Sequence, residues 1–226
     1  MPATHEFLEE QRRSVAAACR RLADAGLLIG TAGNVSVRTG DDQVAVTATG
    51  VVLGQATPEQ VTVVDSGGNV VAGQSEPTSE LDLHLGIYRQ YDAGAVVHTH
   101  SPHATALSLV LDELPCVHYQ QLALGGAIRV APFAVFGSSE LAKHVLAALD
   151  GRSAALMANH GAVVYGPTLA KAVENALLLE WACGLYLNAA SLGTPRVLDE
   201  DQQVAVIAAA LRRGYGTTHP VKEKSR

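Results

Sequence analysis

Two histidines stand one residue apart in Val97-His98-Thr99-His100-Ser101, at the end of an apolar run. Such a run predicts a strand. Alternate strand side chains share a face, so His98 and His100 point one way and Val97 and Thr99 the other. Two imidazoles side by side chelate one divalent cation. A third histidine, His160, lies in Ala158-Asn159-His160-Gly161, at a break between two apolar runs. Asn and Gly permit a tight turn there, and turns at strand ends are where functional side chains are displayed. Three histidine ligands leave a coordination position open, the pattern of a catalytic rather than a closed structural metal. A lone histidine is more often packed or solvated; the H-x-H pair together with N-H-G favours the metal.

The acid/base candidate is Glu80, in Glu76-Pro77-Thr78-Ser79-Glu80-Leu81-Asp82. Thr78 and Ser79 read as the opening of a helix to about residue 91, with Asp82 favourable in the first turn. Hydroxyls and free N–H groups at a helix start also cradle phosphate, which would set Glu80 beside a phosphate and within reach of the metal. Gly30-Thr31-Ala32-Gly33-Asn34 and Thr47-Ala48-Thr49-Gly50 are small-residue turns. Neither fits a dinucleotide fingerprint or a P-loop, and no G-x-S-x-G elbow suggests a serine hydrolase. His84 falls on the predicted helix and is expected to pack or face solvent. His103, after Pro102, stands where it would back a metal ligand. His118 carries no independent sign of ligation, and His5, His144 and His219 read as solvated.

The elements that must position these residues follow from periodicity. A helix is predicted over residues 6–25, stopped by Gly26. Strands at 35–38, 44–47, 61–64 and 70–72, separated by turns, predict antiparallel hairpins. After the helix to 91 come a strand at 96–100, a helix at 102–109 and a strand at 128–130. A helix at 138–149 has Ser138 as N-cap. Strands at 154–158 and 162–165 flank Asn159-His160-Gly161, and helices follow at 168–190 and 199–213. The expected architecture is one layered α/β domain over residues 1–226, with a central mixed, largely antiparallel sheet and a mobile tail from about 214.

Composition removes other classes. Apolar residues make up 48% and charged residues 17% of the 226-residue chain, enough for a sizeable core. Aromatic residues are only 4%, so Val, Leu and Ala must fill it. The net charge is -6 with scattered basic residues, which supplies no basic stripe for nucleic acid. Cys19, Cys116 and Cys183 are far apart and odd in number, so a reduced, cytoplasmic setting is expected. The N-terminus lacks the apolar segment of a secretory signal, and the run at 177–187 is broken by Glu180, Gly184 and Tyr186, so no membrane span is expected.

Six segments together, GTAGNVSVR, TATG, EPTSELDLH, HTHSPHATA, HYQQLALGGA and ANHGAVVYG, resemble the class II aldolase/adducin family, and within it the L-fuculose-phosphate aldolase type. The resemblance runs from the first helix to the last, and the joint order and spacing are specific where single pieces are not. It implies a three-layer α/β/α fold and a homotetramer with sites between subunits. It implies Zn²⁺, with Mn²⁺ or Co²⁺ as alternatives, on His98, His100 and His160. Glu80 then matches the catalytic glutamate, also a metal ligand in the empty site. Asn34, Thr49, Gly50, Thr78 and Ser79 match the positions that hold a substrate phosphate. Tyr119 matches a catalytic tyrosine serving a neighbouring subunit, and Tyr215 falls where a C-terminal tail carries another. Ala32 and Thr78 stand where serine is common.

The implied reaction is a retro-aldol cleavage of a ketose 1-phosphate to dihydroxyacetone phosphate and an aldehyde. Two enzymes of the same fold are alternatives, a pentulose-phosphate 4-epimerase and a methylthioribulose-1-phosphate-type dehydratase. The epimerases usually carry aspartate where Glu80 stands. An adducin-like binding module would not need all three histidines and Glu80.

Overall fold

In β1 (Asn34–Arg38), Val35 and Val37 alternate with Asn34 and Ser36, and this period of two assigns the two faces of the sheet. The computed structural model describes residues 5–40 and 42–216. The first helix, α1 (His5–Asp24), leads into β1, β2 (Gln43–Thr47), β3 (Val61–Asp65) and β4 (Val70–Ala72). Then follow α2 (Leu81–Gln90), β5 (Ala95–Thr99), α3 (Pro102–Ser108), the short β6 (Glu113–Leu114) and β7 (Ile128–Ala131). The chain continues through α4 (Ser139–Ala148), β8 (Ala154–Met157), β9 (Gly161–Gly166), α5 (Leu169–Leu192) and α6 (Glu200–Arg213).

One sheet runs in the order β4-β3-β2-β1-β5-β9-β8-β7-β6. Its strands pair antiparallel except β7 with β8, which pair parallel. The mixed, largely antiparallel sheet expected from the sequence is therefore present. Alternation sends Val35, Val37, Ala95, Val97 and Leu156 into one core with Val15, Leu22, Leu107 and Leu179 of α1, α3 and α5. Val44, Val46, Val96, Met157 and Val163 enter a second core with Leu83, Ile87, Leu141 and Val145 of α2 and α4. Helices thus cover both faces, the three-layer arrangement. A fully buried side chain such as Leu156 or Ile87 contributes roughly 1.5–3 kcal/mol.

Ser138 caps α4 as predicted, its hydroxyl accepting from Leu141 N–H at 3.1 Å. The expected opening of α2 at Thr78 and Ser79 is corrected: the helix begins at Leu81, and Glu80 is its N-cap residue without a side-chain cap bond. The Thr78 hydroxyl accepts from Glu80 N–H at 3.3 Å, closing a local turn that competes with helix. The two-residue β6 and the 3₁₀ turn Tyr119–Leu124 have no sequence counterpart above, since both are too short for a periodic signal. The predicted mobile tail from about 214 lies, beyond Gly216, outside the described residues. Among the described residues no helix is long and apolar enough to cross a membrane.

Candidate metal centre

The β1–β5 ladder sets Asn34 opposite His98, and the β5–β9 ladder sets His98 opposite Val163. Opposed residues share a face, so Asn34 and His98 project from the same side of the sheet, beneath the start of α2. His100 lies one residue beyond β5. His160 precedes β9 on a tight turn whose geometry is demanding. Asn159 takes the left-handed φ of 57°, which Asn tolerates, and a Cβ on Gly161 would sit 2.3 Å from Thr99 O. From the helical layer over this face comes Glu80, the N-cap residue of α2. His84 is one helical turn on and faces the same way.

Among the described residues, His98, His100 and His160 form a trio whose ligand atoms all lie within 4.8 Å of one another. Nε2 of His98 and Nε2 of His100 are 3.0 Å apart. The Glu80 carboxylate closes the group, with Oε2 3.1 Å from His98 Nε2 and Oε1 3.5 Å from His160 Nε2. His98 Nδ1 donates to the Ala162 carbonyl at 2.9 Å, which aims Nε2 at the centre, where it donates to Glu80 when protonated and would offer a metal its lone pair when not.

Electrostatics and orphaned atoms test whether a cation fits. Burial opposes ionisation of Glu80, but the His98 imidazole beside it and hydrogen bonds from His98 and Asn34 outweigh that and hold the carboxyl well below its usual range. Burial disfavours charge on His98 too, yet Glu80 outweighs it and raises its pKa. His100 is pulled down to about 4 by burial and by its neighbours His98 and His160; His160 is lowered for the same reasons. Glu80 Oε1 is buried and accepts no hydrogen bond. A buried carboxylate oxygen without a donor, beside the His100 and His160 imidazoles kept neutral, is a donor set short of one cation. The residues fit a divalent metal.

Glu80, His100 and His160 line a cleft of about 680 Å³ together with Asn34, Thr49, Gly50, Thr78 and Ser79. Its size suits a small ligand. The predicted phosphate residues are therefore brought together with the metal candidates. Their neighbourhood is built by backbone pairing: Thr78 N–H donates to Thr47 O, and Thr49 N–H donates to Glu76 O, each at 3.0 Å. Gly50 has φ 74°, and a Cβ there would meet nothing within 4 Å, so the turn requires glycine for its backbone conformation alone. Asn34 is engaged internally, its amide donating to Thr78 Oγ1 at 3.0 Å and Glu80 Oε2 at 2.9 Å. Facing these polar groups, Phe133, Val135 and Phe136 are 62%, 63% and 67% exposed, an apolar wall that the residue reading had missed. Its only sequence signal is an excess of large apolar residues in a loop. A larger groove of about 950 Å³, between α2 and α4, has Asp82, Arg89 and Lys143 but no comparable convergence.

Other predicted residues lie elsewhere. Tyr119 does not line the cleft; its hydroxyl is 3.3 Å from that of Tyr215, in a surface groove beside Lys171 and Ile207. The pairing with Tyr215 raises the Tyr119 pKa, keeping the phenol protonated. His103 pairs with Glu180 at 2.9 Å, away from the metal candidates. His118 accepts from Gln120 N–H and caps the 3₁₀ turn. His84 is fully buried beside Asn34, and its part in the site had not been read from the sequence.

Residues 13–187 match the family described as Class II Aldolase and Adducin N-terminal domain. The 5-deoxy-D-ribulose 1-phosphate aldolase of Bacillus thuringiensis serovar kurstaki is 34% identical over 93% of this chain and 99% of its own. The 5-methylthioribulose-1-phosphate/5-deoxyribulose-1-phosphate aldolase of Rhodospirillum rubrum is 36% identical over 87% of this chain and 89% of its own. A solved L-fuculose 1-phosphate aldolase superposes with a TM-score of 0.84 at 31% identity, covering 92% of this chain and 97% of the other.

Proposed function

Because the chain belongs to the class II aldolase and adducin family, we propose that it is a metal-dependent aldehyde-lyase, one catalytic domain that cleaves a ketose 1-phosphate to dihydroxyacetone phosphate and an aldehyde. The observation that carries this is the convergence of three histidines and Glu80 beside a cleft that hydroxyls and a glycine turn also line. His98, His100 and His160 would hold the metal, with Glu80 beside them. When bound, a Zn²⁺-type ion, or Mn²⁺ or Co²⁺, supplies Lewis-acid stabilisation of negative charge on substrate oxygens.

The chain's own groups account for the rest. Glu80, held as a carboxylate, is a base: in the condensation direction it removes a proton from the hydroxymethyl carbon of dihydroxyacetone phosphate, and in cleavage it returns it. In condensation the Tyr119 phenol gives the aldehyde oxygen its proton as the carbon–carbon bond forms, the proton gained by Glu80 resets Tyr119, and cleavage runs these transfers in reverse. The apolar wall suits an aldehyde half ending in an unoxygenated carbon. The names of the relatives agree, since deoxyribulose, methylthioribulose and fuculose all end so.

Phosphate must be held locally, because a net charge of -6 does not gather anions from a distance. Thr49, Gly50, Thr78 and Ser79 are neutral donors around the cleft, with Asn34 bracing Thr78, and the nearby start of α2 adds roughly 0.3–1 kcal/mol. Ser79 does not cap α2, so Ser79→Ala is expected to leave the melting temperature unchanged and to raise KM more than it lowers kcat. A panel of phosphorylated and free ketoses, with product identification, tests the whole reading. Equal efficiency on free sugars removes the phosphate cradle; an epimer or a dehydrated product removes the aldolase.

Tyr119 lies outside its own chain's cleft, which supports a homotetramer in which it completes a neighbour's site. Mixing Tyr119→Phe with Glu80→Gln subunits is expected to restore turnover above the average of the two parents. A mixture that stays at that average, or an active monomer in sedimentation, rules the shared site out.

A further inference from the structure

Behind Glu80 runs a buried chain of side chains whose hydrogen bonds have one consistent direction. A carboxylate only accepts, so Asn34 must turn its NH₂ toward Glu80 Oε2, at 2.9 Å. That leaves Asn34 Oδ1 facing His84 Nε2 at 2.5 Å, so Nε2 carries the imidazole proton. A neutral imidazole protonated at Nε2 accepts at Nδ1, where the Ser36 hydroxyl lies at 2.7 Å and must donate. Ser36 Oγ in turn accepts from the Tyr88 hydroxyl at 2.8 Å. Every donor from Tyr88 to Asn34 points toward Glu80. Ser36 and His84 are 0% exposed and Asn34 4%, so these bonds lie out of bulk solvent. Burial pulls His84 down to about 3, which keeps the ring neutral as this pattern needs.

We propose that His84 is a positioning residue: acting through Asn34, it locks Glu80 Oε2 as a hydrogen-bond acceptor, so that the proton Glu80 exchanges with substrate travels on Oε1. Oε1 is the oxygen left without a hydrogen bond. This rests on the reading of Glu80 as the acid/base of the proposed reaction. Without the His84 donor, the Asn34 oxygen is left unpaired and the amide is held only through its NH₂, by Thr78 and Glu80, so its charge-assisted bond to Oε2 is less firmly aimed.

Two substitutions in the zinc-loaded protein separate positioning from packing. His84→Leu keeps apolar volume and removes both bonds. His84→Gln keeps a donor for Asn34 and an acceptor for Ser36. Both are expected to match the parent in circular dichroism and zinc content. His84→Leu should lower kcat about 10–100-fold with KM close to the parent's, and His84→Gln should recover most of that loss. Wild-type turnover in His84→Leu, or a Gln variant no better than Leu, overturns the proposal. A second measurement is independent of folding and of the substrate reading: ¹⁵N-imidazole NMR of the unsubstituted protein at neutral pH. A neutral Nε2–H ring for His84 is expected. An Nδ1–H tautomer or an imidazolium overturns the relay even if the protein proves an aldolase, while failure on every ketose phosphate sinks the aldolase reading and leaves the relay to the NMR result.

Discussion

Chelation of the purified protein is expected to abolish turnover, and zinc, cobalt or manganese to restore it. The Lewis-acid contribution to charge stabilisation is several kcal/mol, so the loss should be at least about 10³-fold. His100→Ala is the sharper genetic form of the experiment. His98 is fully buried and bonded to the Ala162 carbonyl, so its removal leaves a cavity and an unpaired backbone oxygen and confounds catalysis with stability. His100 is only partly buried, and its ring nitrogen faces the other ligands rather than the backbone. The variant should fold, hold far less metal after dialysis, and lose turnover in step with its metal content. Full activity in a preparation shown by elemental analysis to be metal-free would defeat the assignment.

Glu80→Gln is expected to lower kcat roughly 10²–10⁴-fold while KM and the fold stay close to the parent's. Gln has the same length and still accepts a hydrogen bond from Asn34, which now meets Glu80 at 2.9 Å. It cannot carry a proton to or from carbon at neutral pH. Assays belong at saturating zinc, because losing a carboxylate beside His98 and His160 also weakens the hold on a cation. Unchanged kcat under those conditions would return Glu80 to a structural role at the start of α2.

Much of the site was legible before any fold was known, because its rules are local. The period of two placed His98 and His100 on one face whatever strands lay beside them. Asn-His-Gly marked a turn because a left-handed residue and a crowded one follow in order, as Asn159 and Gly161 show. The hairpin block from β1 to β4 was legible for the same reason: each strand pairs with its neighbour in sequence across a short turn.

Tertiary structure alone decided which faces meet. Asn34 opposes His98 across 64 residues of chain only because β5 inserts beside β1, a register chosen by burying Val35 and Val97 in one core and Val96 in the other. The sequence by itself named His84 as a residue that packs or faces solvent, and no local pattern separates those outcomes for an imidazole among Leu83, Leu85 and Ile87. Docking of α2 over β1 chose burial and with it the bonds to Ser36 and Asn34. The sequence determined the types of the candidate ligands and their spacing along each element, because side-chain direction follows from backbone period. The fold determined their convergence, because strand order and helix docking are settled by the whole buried surface at once.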